Sequence, residues 1–176
     1  MTSALRVTKR YGIPPRRVFD AWIDPATAGT WLFATASRPM TCVQIDARVG
    51  GAFRLVDERD GGGIEYSGRY VEISPHRRLV FALLLPEQTH TSTRVVVEIA
   101  PFQTGARLTL FHENVPADIA RYMKARWTGI LYGLGVTLDP GKLPLEKFYD
   151  VGCRFRASPI DYRLGRPRST TIGSER

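Results

Sequence analysis

His112 is the side chain in this sequence best suited to acid–base chemistry, because an imidazole titrates near neutral pH. It follows Leu108 and Leu110 in an alternating run, and a period of two places all three side chains on the inner face of a strand. Catalysis would require a second group within reach, but the adjacent Glu113 points to the opposite face. Two interpretations of His112 follow: an imidazole hydrogen-bonded to nearby backbone, or a polar anchor that faces a cavity.

Three further polar residues, Glu65, Ser67 and Arg69, share one face of a predicted strand. If this face is directed inward, they would contribute polar groups to an interior cavity, and Arg69 would be a second candidate anchor. The glycine turn before this strand leaves the direction of the face open.

Metal, nucleotide and nucleophile sites are not indicated by the remaining motifs. Cys42 and Cys153 match neither a CxxC pair nor a zinc-ligand set. Gly50-Gly51 lacks the GxxxxGK(S/T) pattern of a phosphate loop and has strand-like runs on both sides, so it predicts a β-bulge or strand corner. No Gly-x-Ser-x-Gly elbow is present. The sequence therefore predicts no metal, no cofactor and no identifiable catalytic residue.

The composition is that of a globular protein, with 43% hydrophobic and 24% charged residues among 176. No apolar run approaches the roughly 20 residues that a membrane span requires. The first residues lack the apolar stretch of a secretion signal, and two distant cysteines suit a reducing compartment. We therefore expect a cytoplasmic protein that does not associate with membranes.

The charge is basic, with 25 Lys and Arg against 17 Asp and Glu and a net charge of +8. Such a balance is compatible with recognition of anions. However, the basic residues are spread along the chain, and neither a zinc-finger spacing nor an RNP motif is present. Nucleic acid is not a predicted partner.

The elements that would position these residues begin with an alternating strand over residues 4–11. Pro14 and Pro15 then favour a helix start, and the next apolar residues recur at helical spacing. Asp24-Pro25 interrupts this helix, and Asp24 is suited to cap a second short helix that extends through Trp31. The sequence thus predicts two short helices that meet at a corner.

Residues 42–112 contain six β-rich runs that are separated by glycine, proline or charged residues. A long amphipathic helix follows, with Pro116 at its start, Asp118 in its first turn and Pro140-Gly141 at its end. Its apolar residues step by three or four; they are Ile119, Met123, Trp127, Ile130, Leu134 and Leu138. The predicted class is α+β, a curved seven-stranded antiparallel sheet with two short helices and one long C-terminal helix.

One long helix cannot cover seven strands completely, so this architecture predicts a gap between the helix and the sheet. The aromatic side chains of the short helices are placed to line that gap. The predicted ligand-binding residues combine apolar walls with two polar anchors; they are Trp22, Trp31, Phe53, Arg69, Phe81, Leu110, His112 and Trp127.

Five segments of the chain, in this order, resemble the heat-shock-protein-90 ATPase activator family. They are PPRRVFDAWIDPATAGTWL, IDARVGGAFRL, GRYVEISPHRRLVF, GARLTLFHENVP and RWTGILYGL. That family belongs to the START and birch-pollen-allergen superfamily, and the resemblance implies its helix-grip fold. It also implies that Trp22 and Trp31 occupy the family's short-helix aromatic positions, that Asp46, Arg48, Gly50 and Gly51 form its Asp-x-Arg-x-Gly-Gly corner, and that Trp127 and Leu131 match its last helix.

The predicted organisation is a START-like domain over residues 1–138 and a basic tail over residues 139–176. The tail is rich in Pro, Gly, Arg and Ser, but its aromatic residues suggest that part of it packs on the domain or on a second subunit.

Three functions remain open at this point. The first is a binding module for an apolar or amphipathic small molecule. The second is an interaction protein such as a chaperone-ATPase regulator, and the third is a cyclase, hydrolase or lyase that uses the same pocket.

Overall fold

The computed structural model describes residues 1–34, 38–59, 62–86 and 92–141. The elements follow one another as β1 (Thr2–Tyr11), α1 (Pro15–Ile23), α2 (Pro25–Trp31), β2 (Cys42–Ile45), β3 (Ala52–Arg59), β4 (Gly62–Ser74), β5 (Arg78–Leu84), β6 (Ser92–Phe102), β7 (Gly105–Pro116) and α3 (Ala120–Leu138). The predicted order of one strand, two short helices, six strands and a long helix is confirmed.

The strands form one curved antiparallel sheet of seven strands in the order β1-β7-β6-β5-β4-β3-β2. Consecutive strands from β2 to β7 are neighbours, whereas β1 pairs with β7 at the edge opposite to β2, so the connection through α1 and α2 spans the sheet. The first strand therefore lies alongside the last strand over its whole length. Helix α3 then returns across the inner face. The α+β helix-grip architecture expected from the sequence is confirmed.

Helices α1 and α2 meet at Asp24, which ends the first helix and caps the second. One carboxylate oxygen of Asp24 accepts a hydrogen bond from the Thr27 backbone N–H at 2.9 Å and another from the Thr27 hydroxyl at 2.5 Å. These bonds lower the pKa of Asp24 because they favour the ionised carboxylate. Pro25 occupies the first position of α2, where a missing amide costs little. The predicted helix corner is confirmed.

Helix α3 begins later than the sequence predicts. Pro116 is the last residue of β7 and pairs with Thr2 of β1, while residues 117–119 form a turn before α3 starts at Ala120. The Ala117 backbone N–H donates to the Met1 carbonyl, which extends the pairing of the two strands. Placing Pro116 at the helix start was therefore wrong, because pairing with β1 keeps this segment extended.

Helix α3 is fixed against the sheet by apolar side chains and by one hydrogen bond from β1. Its buried residues are Met123, Trp127, Ile130, Leu131, Leu134 and Gly135. The Tyr11 hydroxyl donates to the Leu131 carbonyl at 2.7 Å. Burial raises the pKa of Tyr11, so this phenol stays protonated and keeps its role as donor.

The corner between β2 and β3 is closed by backbone contacts around Gly51. Gly50 has a φ of 79°, in the left-handed region that favours glycine. A Cβ atom at Gly51 would lie only 2.1 Å from the Asp46 carbonyl oxygen and 2.9 Å from the Arg48 carbonyl oxygen. The corner therefore has room for glycine alone at this position, in agreement with its predicted structural role.

We expect Gly51→Ala to lower the free energy of unfolding by about 1–3 kcal/mol, because the added methyl group forces two backbone segments apart. Gly129→Ala is the matched control, since a Cβ atom at that exposed helical position meets nothing within 4 Å. Alanine there should be neutral or stabilising by up to about 1 kcal/mol. Urea unfolding at neutral pH measures both changes, and equal stabilities for the two variants would contradict the tight corner.

No helix among the described residues is long and apolar enough to cross a membrane. Helix α3 ends at Leu138, and most of the predicted basic tail, residues 142–176, lies outside the described residues. Packing of the tail's aromatic residues on the domain or on a second subunit stays a prediction.

Candidate functional site

The predicted aromatic residues meet between α1, α2, α3 and the sheet. The ring of Trp22 lies edge-to-face with Trp31 at a centroid distance of 4.8 Å and approaches Trp127 at 6.4 Å. On the sheet side, Phe81 lies 6.2 Å from Trp22 and 5.4 Å from Phe53. Leu110 is also fully buried. The structure therefore brings together the apolar residues that were predicted to line one space.

Side chains fill this space in the conformation described here. Trp22, Trp31 and Trp127 each expose 1% of their surface or less. A cavity remains beside Trp22, Phe53, Tyr70 and Phe81, but its volume is about 10 Å³, which is near the lower limit for holding one water molecule. The expected gap between α3 and the sheet is thus closed, and a ligand could enter only if side chains moved.

His112 is fully buried and both of its ring nitrogens are hydrogen-bonded. The indole N–H of Trp127 donates to Nδ1 at 3.0 Å, so Nε2 carries the proton and donates to Thr93 Oγ1 at 2.8 Å. The Thr93 hydroxyl in turn donates to the Leu83 carbonyl at 3.0 Å. Burial lowers the pKa of His112 from 6.5 to about 4. The imidazole is therefore neutral at pH 7 and links α3 to β5, β6 and β7.

This network leaves His112 without a free nitrogen to present to a substrate or ligand. Glu113 lies on the outer face and pairs with Arg94 at 3.0 Å, as strand alternation predicts. In the described part of the chain, no group of three His, Cys, Asp or Glu residues is arranged to hold a metal ion. His112 thus connects elements of the core, and the partner it uses is a side chain rather than the expected backbone group.

Arg69 does not face the interior. Tyr66 and Tyr70 are the buried residues of β4, so Ser67 and Arg69 point to the outer face of the sheet. The Arg69 guanidinium donates to the Gly50 carbonyl at 2.5 Å, and it borders an open groove of about 530 Å³ that Arg54 also lines. Assigning Arg69 to the interior ligand site was wrong, because the alternation of β4 runs in the opposite phase.

A second group of residues, absent from the predicted site, lies at the edge of the aromatic core. We call Phe33, Tyr66 and Arg126 the Phe33 cluster. The rings of Phe33 and Tyr66 stack with a centroid distance of 4.2 Å and an interplanar angle of 10°. The Arg126 guanidinium lies 5.6 Å from the Phe33 ring and 4.9 Å from the Tyr66 ring, and it donates to the Tyr66 hydroxyl. The cluster joins the end of α2 to β4 and α3.

Phe33 combines partial exposure with an unusual backbone conformation. Its φ is 59°, in a region that is a genuine outlier for a bulky residue and that costs on the order of 1–3 kcal/mol. Its half-buried ring lies 5.4 Å from the fully buried ring of Trp127. Displacing Phe33 would therefore open the aromatic core beside Trp127.

Trp22 contributes an unsatisfied polar atom to this core. Its indole Nε1 is buried and has no hydrogen-bond acceptor among the residues described. In contrast, the indole N–H groups of Trp31 and Trp127 donate to the Ala21 carbonyl and to His112. A buried donor without an acceptor costs about 1–3 kcal/mol, so an acceptor atom brought to Trp22 would stabilise the site.

Part of the Phe33 cluster could be found in the sequence. Phe33 belongs to the aromatic-rich stretch of residues 18–33, and strand alternation places Tyr66 on the face opposite to Ser67, although the sequence leaves open which face is buried. The meeting of Phe33, Tyr66 and Arg126 depends on three elements that are far apart in the chain, and no local pattern signals it.

Comparison with known proteins supports the fold. The family model described as activator of Hsp90 ATPase homolog 1-like protein matches residues 13–139. A search of curated proteins found no significant match.

Solved structures with the same fold come from several organisms. The structure of a Chromobacterium violaceum protein is 25% identical with a TM-score of 0.65, and the match covers 78% of this chain and 97% of that one. An HSP90 activator from Plasmodium falciparum is 25% identical with a TM-score of 0.63, covering 77% and 95% of the two chains. An AHSA1-like protein from Aeromonas hydrophila has a TM-score of 0.68 at 19% identity, covering 78% and 93%, and shows the fold alone.

Proposed function

Because the chain belongs to the family of activator of Hsp90 ATPase homolog 1-like proteins, we propose that it is a cytoplasmic small-molecule binding domain of that helix-grip family. The ligand is apolar or amphipathic and lies between α3 and the sheet. It enters by displacing Phe33. The observation that supports the proposal is the left-handed backbone of Phe33 together with its half-buried ring beside Trp127.

The energies involved allow Phe33 to move. Its stack on Tyr66 stabilises the closed state by about 0.5–1.5 kcal/mol beyond area burial. Its positive φ costs on the order of 1–3 kcal/mol, and this strain is relieved when the residue leaves the site. The strain offsets much of the stacking and of the burial of the ring, so the closed position of Phe33 is favoured by no more than about 1–2 kcal/mol. A ligand can therefore compete with the ring.

The binding energy sets the size and polarity of the ligand. A molecule that buries about 300 Å² of apolar surface gains roughly 7 kcal/mol at ~25 cal/mol/Å², and association costs of about 4–15 kcal/mol consume much of this gain. An acceptor atom that pairs with Trp22 Nε1 would add to the affinity. The most favourable combination of these terms is about 6 kcal/mol, so the expected dissociation constant for an apolar molecule with one or two polar atoms is on the order of tens of micromolar or weaker.

The proposal is tested with the neutral probe N-phenylnaphthylamine, whose fluorescence rises in apolar surroundings. We expect wild-type protein to bind it with a dissociation constant on the order of tens of micromolar or weaker and to show quenching of tryptophan fluorescence. Phe33→Ala should bind about tenfold tighter, since the probe no longer displaces a ring from its stack. Titration of both proteins, after circular dichroism has shown that each is folded, gives the two dissociation constants.

Phe102→Ala is the matched control because Phe102 is also a half-buried aromatic residue, but it packs under Arg10 and Arg107 where β6 turns into β7. Phe102→Ala should bind the probe with the same affinity as wild type. Absence of probe binding in folded wild type and in folded Phe33→Ala would refute the binding function.

A second candidate function is regulation of a chaperone ATPase. It is favoured by the 25% identity to a protein described as an HSP90 activator and by the groove on the outer sheet face, where Arg54 and Arg69 lie. Stimulation of the ATPase rate of an Hsp90-type chaperone by the purified protein would support it. In that case Phe33→Ala should stimulate as well as wild type, because the Phe33 cluster lies away from the outer face.

A further inference from the structure

The Phe33 cluster contains a cation whose partners are aromatic rings and phenols. Arg126 is half-buried; its guanidinium lies 4.9 Å from the Tyr66 ring and 5.6 Å from the Phe33 ring, and it donates to the Tyr66 hydroxyl. It also lies 3.5 Å from the Tyr122 hydroxyl. These contacts hold the planar group over the edge of the aromatic core.

Across the described ranges, no carboxylate forms an ion pair with Arg126. Other arginines do have such partners: Arg54 pairs with Glu65 at 3.0 Å and Arg94 with Glu113 at 3.0 Å. Those two pairs lie on the solvated outer face, where an ion pair contributes little. Arg126 is less exposed, and a partly desolvated charge interacts more strongly with an opposite charge. The position of Arg126 favours pairing with an anion that the described residues do not supply.

The stacked geometry specifies the shape of such an anion. Tyr66 offers one flat face, which the Phe33 ring covers with an interplanar angle of 10°. An aromatic ring that replaces Phe33 would keep this stack and would lie beside the Arg126 guanidinium. A carboxylate or sulfonate on that ring could then form charge-assisted hydrogen bonds with the guanidinium, which binds such planar or multi-oxygen anions through parallel N–H groups.

We propose that the ligand is an aromatic anion, whose ring replaces Phe33 on Tyr66 and whose acidic group pairs with Arg126. This inference rests on the proposed binding function and adds the charge and shape of the ligand. It assigns Arg126 as the residue that selects anionic over neutral ligands.

The test compares anilinonaphthalene sulfonate with N-phenylnaphthylamine, which has the same aromatic framework without the sulfonate. Wild type should bind the sulfonate at least about tenfold tighter than the neutral probe, as expected for a charge-assisted hydrogen bond in a partly desolvated site. Arg126→Met should remove this preference, so that the two probes bind the variant with similar affinities. Arg121→Met removes the same charge from an exposed position on α3 and should keep the wild-type preference.

The other possible outcomes distinguish an error about Arg126 from an error about the binding function. If the neutral probe binds as tightly as the sulfonate, or if Arg121→Met and Arg126→Met weaken sulfonate binding equally, the role of Arg126 is wrong while the binding function stands. If folded protein binds neither probe, the binding function itself is wrong. Melting curves of all variants identify any sulfonate binding that reflects partial unfolding.

Discussion

Replacing Trp127 with alanine is expected to lower the free energy of unfolding by more than about 4 kcal/mol. Trp-to-Ala changes in a packed core cost about 3–5 kcal/mol, and Trp127 is fully buried. The change also removes the donor to His112 Nδ1, and an unpaired buried acceptor adds about 1–3 kcal/mol. Since many domains have only about 5–15 kcal/mol of stability, the variant should be close to unfolding.

Denaturation with urea at pH 7 measures this effect, with Trp127→Phe as a milder variant in case the alanine variant does not fold. Phenylalanine fills most of the space but lacks the indole N–H, so its cost of about 1–3 kcal/mol reports mainly on the lost hydrogen bond. Tyr122→Ala is the control on the same helix, because Tyr122 is 41% exposed. A loss below about 1 kcal/mol for Trp127→Ala would mean that the core around Trp127 is loosely packed.

Acidification from pH 7 to pH 5 is expected to destabilise the protein through His112 alone by about 2 kcal/mol. The pKa of His112 falls from 6.5 to about 4 on folding, so the unfolded chain binds the proton first. The neutral imidazole therefore contributes its full stability above about pH 6.5, and this contribution is lost as the pH falls toward 4. Protonation in the folded state would also break the bond that Nδ1 accepts from Trp127.

Unfolding free energies at pH 7 and pH 5 in wild type and in His112→Asn isolate this contribution. Asparagine does not titrate, and its side-chain oxygen can still accept from Trp127, so the variant should lose less stability than wild type on acidification. His76→Asn is the matched control, because His76 is exposed and its replacement should leave the loss attributed to His112 unchanged. Equal pH dependence in wild type and His112→Asn would show that His112 is not the group responsible.

The order and type of the elements follow from the sequence because they depend on local periods and local stops. The period of two over residues 42–112 predicts the six strands, and the spacing of three and four predicts the buried face of α3. Asp24-Pro25 predicts the break between α1 and α2, and Asp24 does cap the second helix. The inward position of His112 follows from strand parity in the same way.

Contacts between distant segments decide what local patterns leave open. Pro116 suits a helix start by its own geometry, but pairing with Thr2 makes it the end of β7. Arg69 fits either phase of an alternating strand, and the burial of Tyr66 and Tyr70 directs it outward. Locally, Pro116 is compatible with a helix start or a strand end, and Arg69 with either face of its strand. Pairing with β1 selects the strand end for Pro116, and the buried core selects the outer face for Arg69.

The sequence by itself determined the order of strands and helices and the aromatic inner face, since the elements other than β4 show their buried side in their own periodicity. Only the tertiary structure decided that Trp22, Trp31 and Trp127 fill the space between α3 and the sheet, and that Phe33 stacks on Tyr66 beside Arg126. Whether a space is filled depends on how side chains from several elements fit together in three dimensions. Periodicity gives the face on which a side chain lies, but it does not give the neighbour that it meets there.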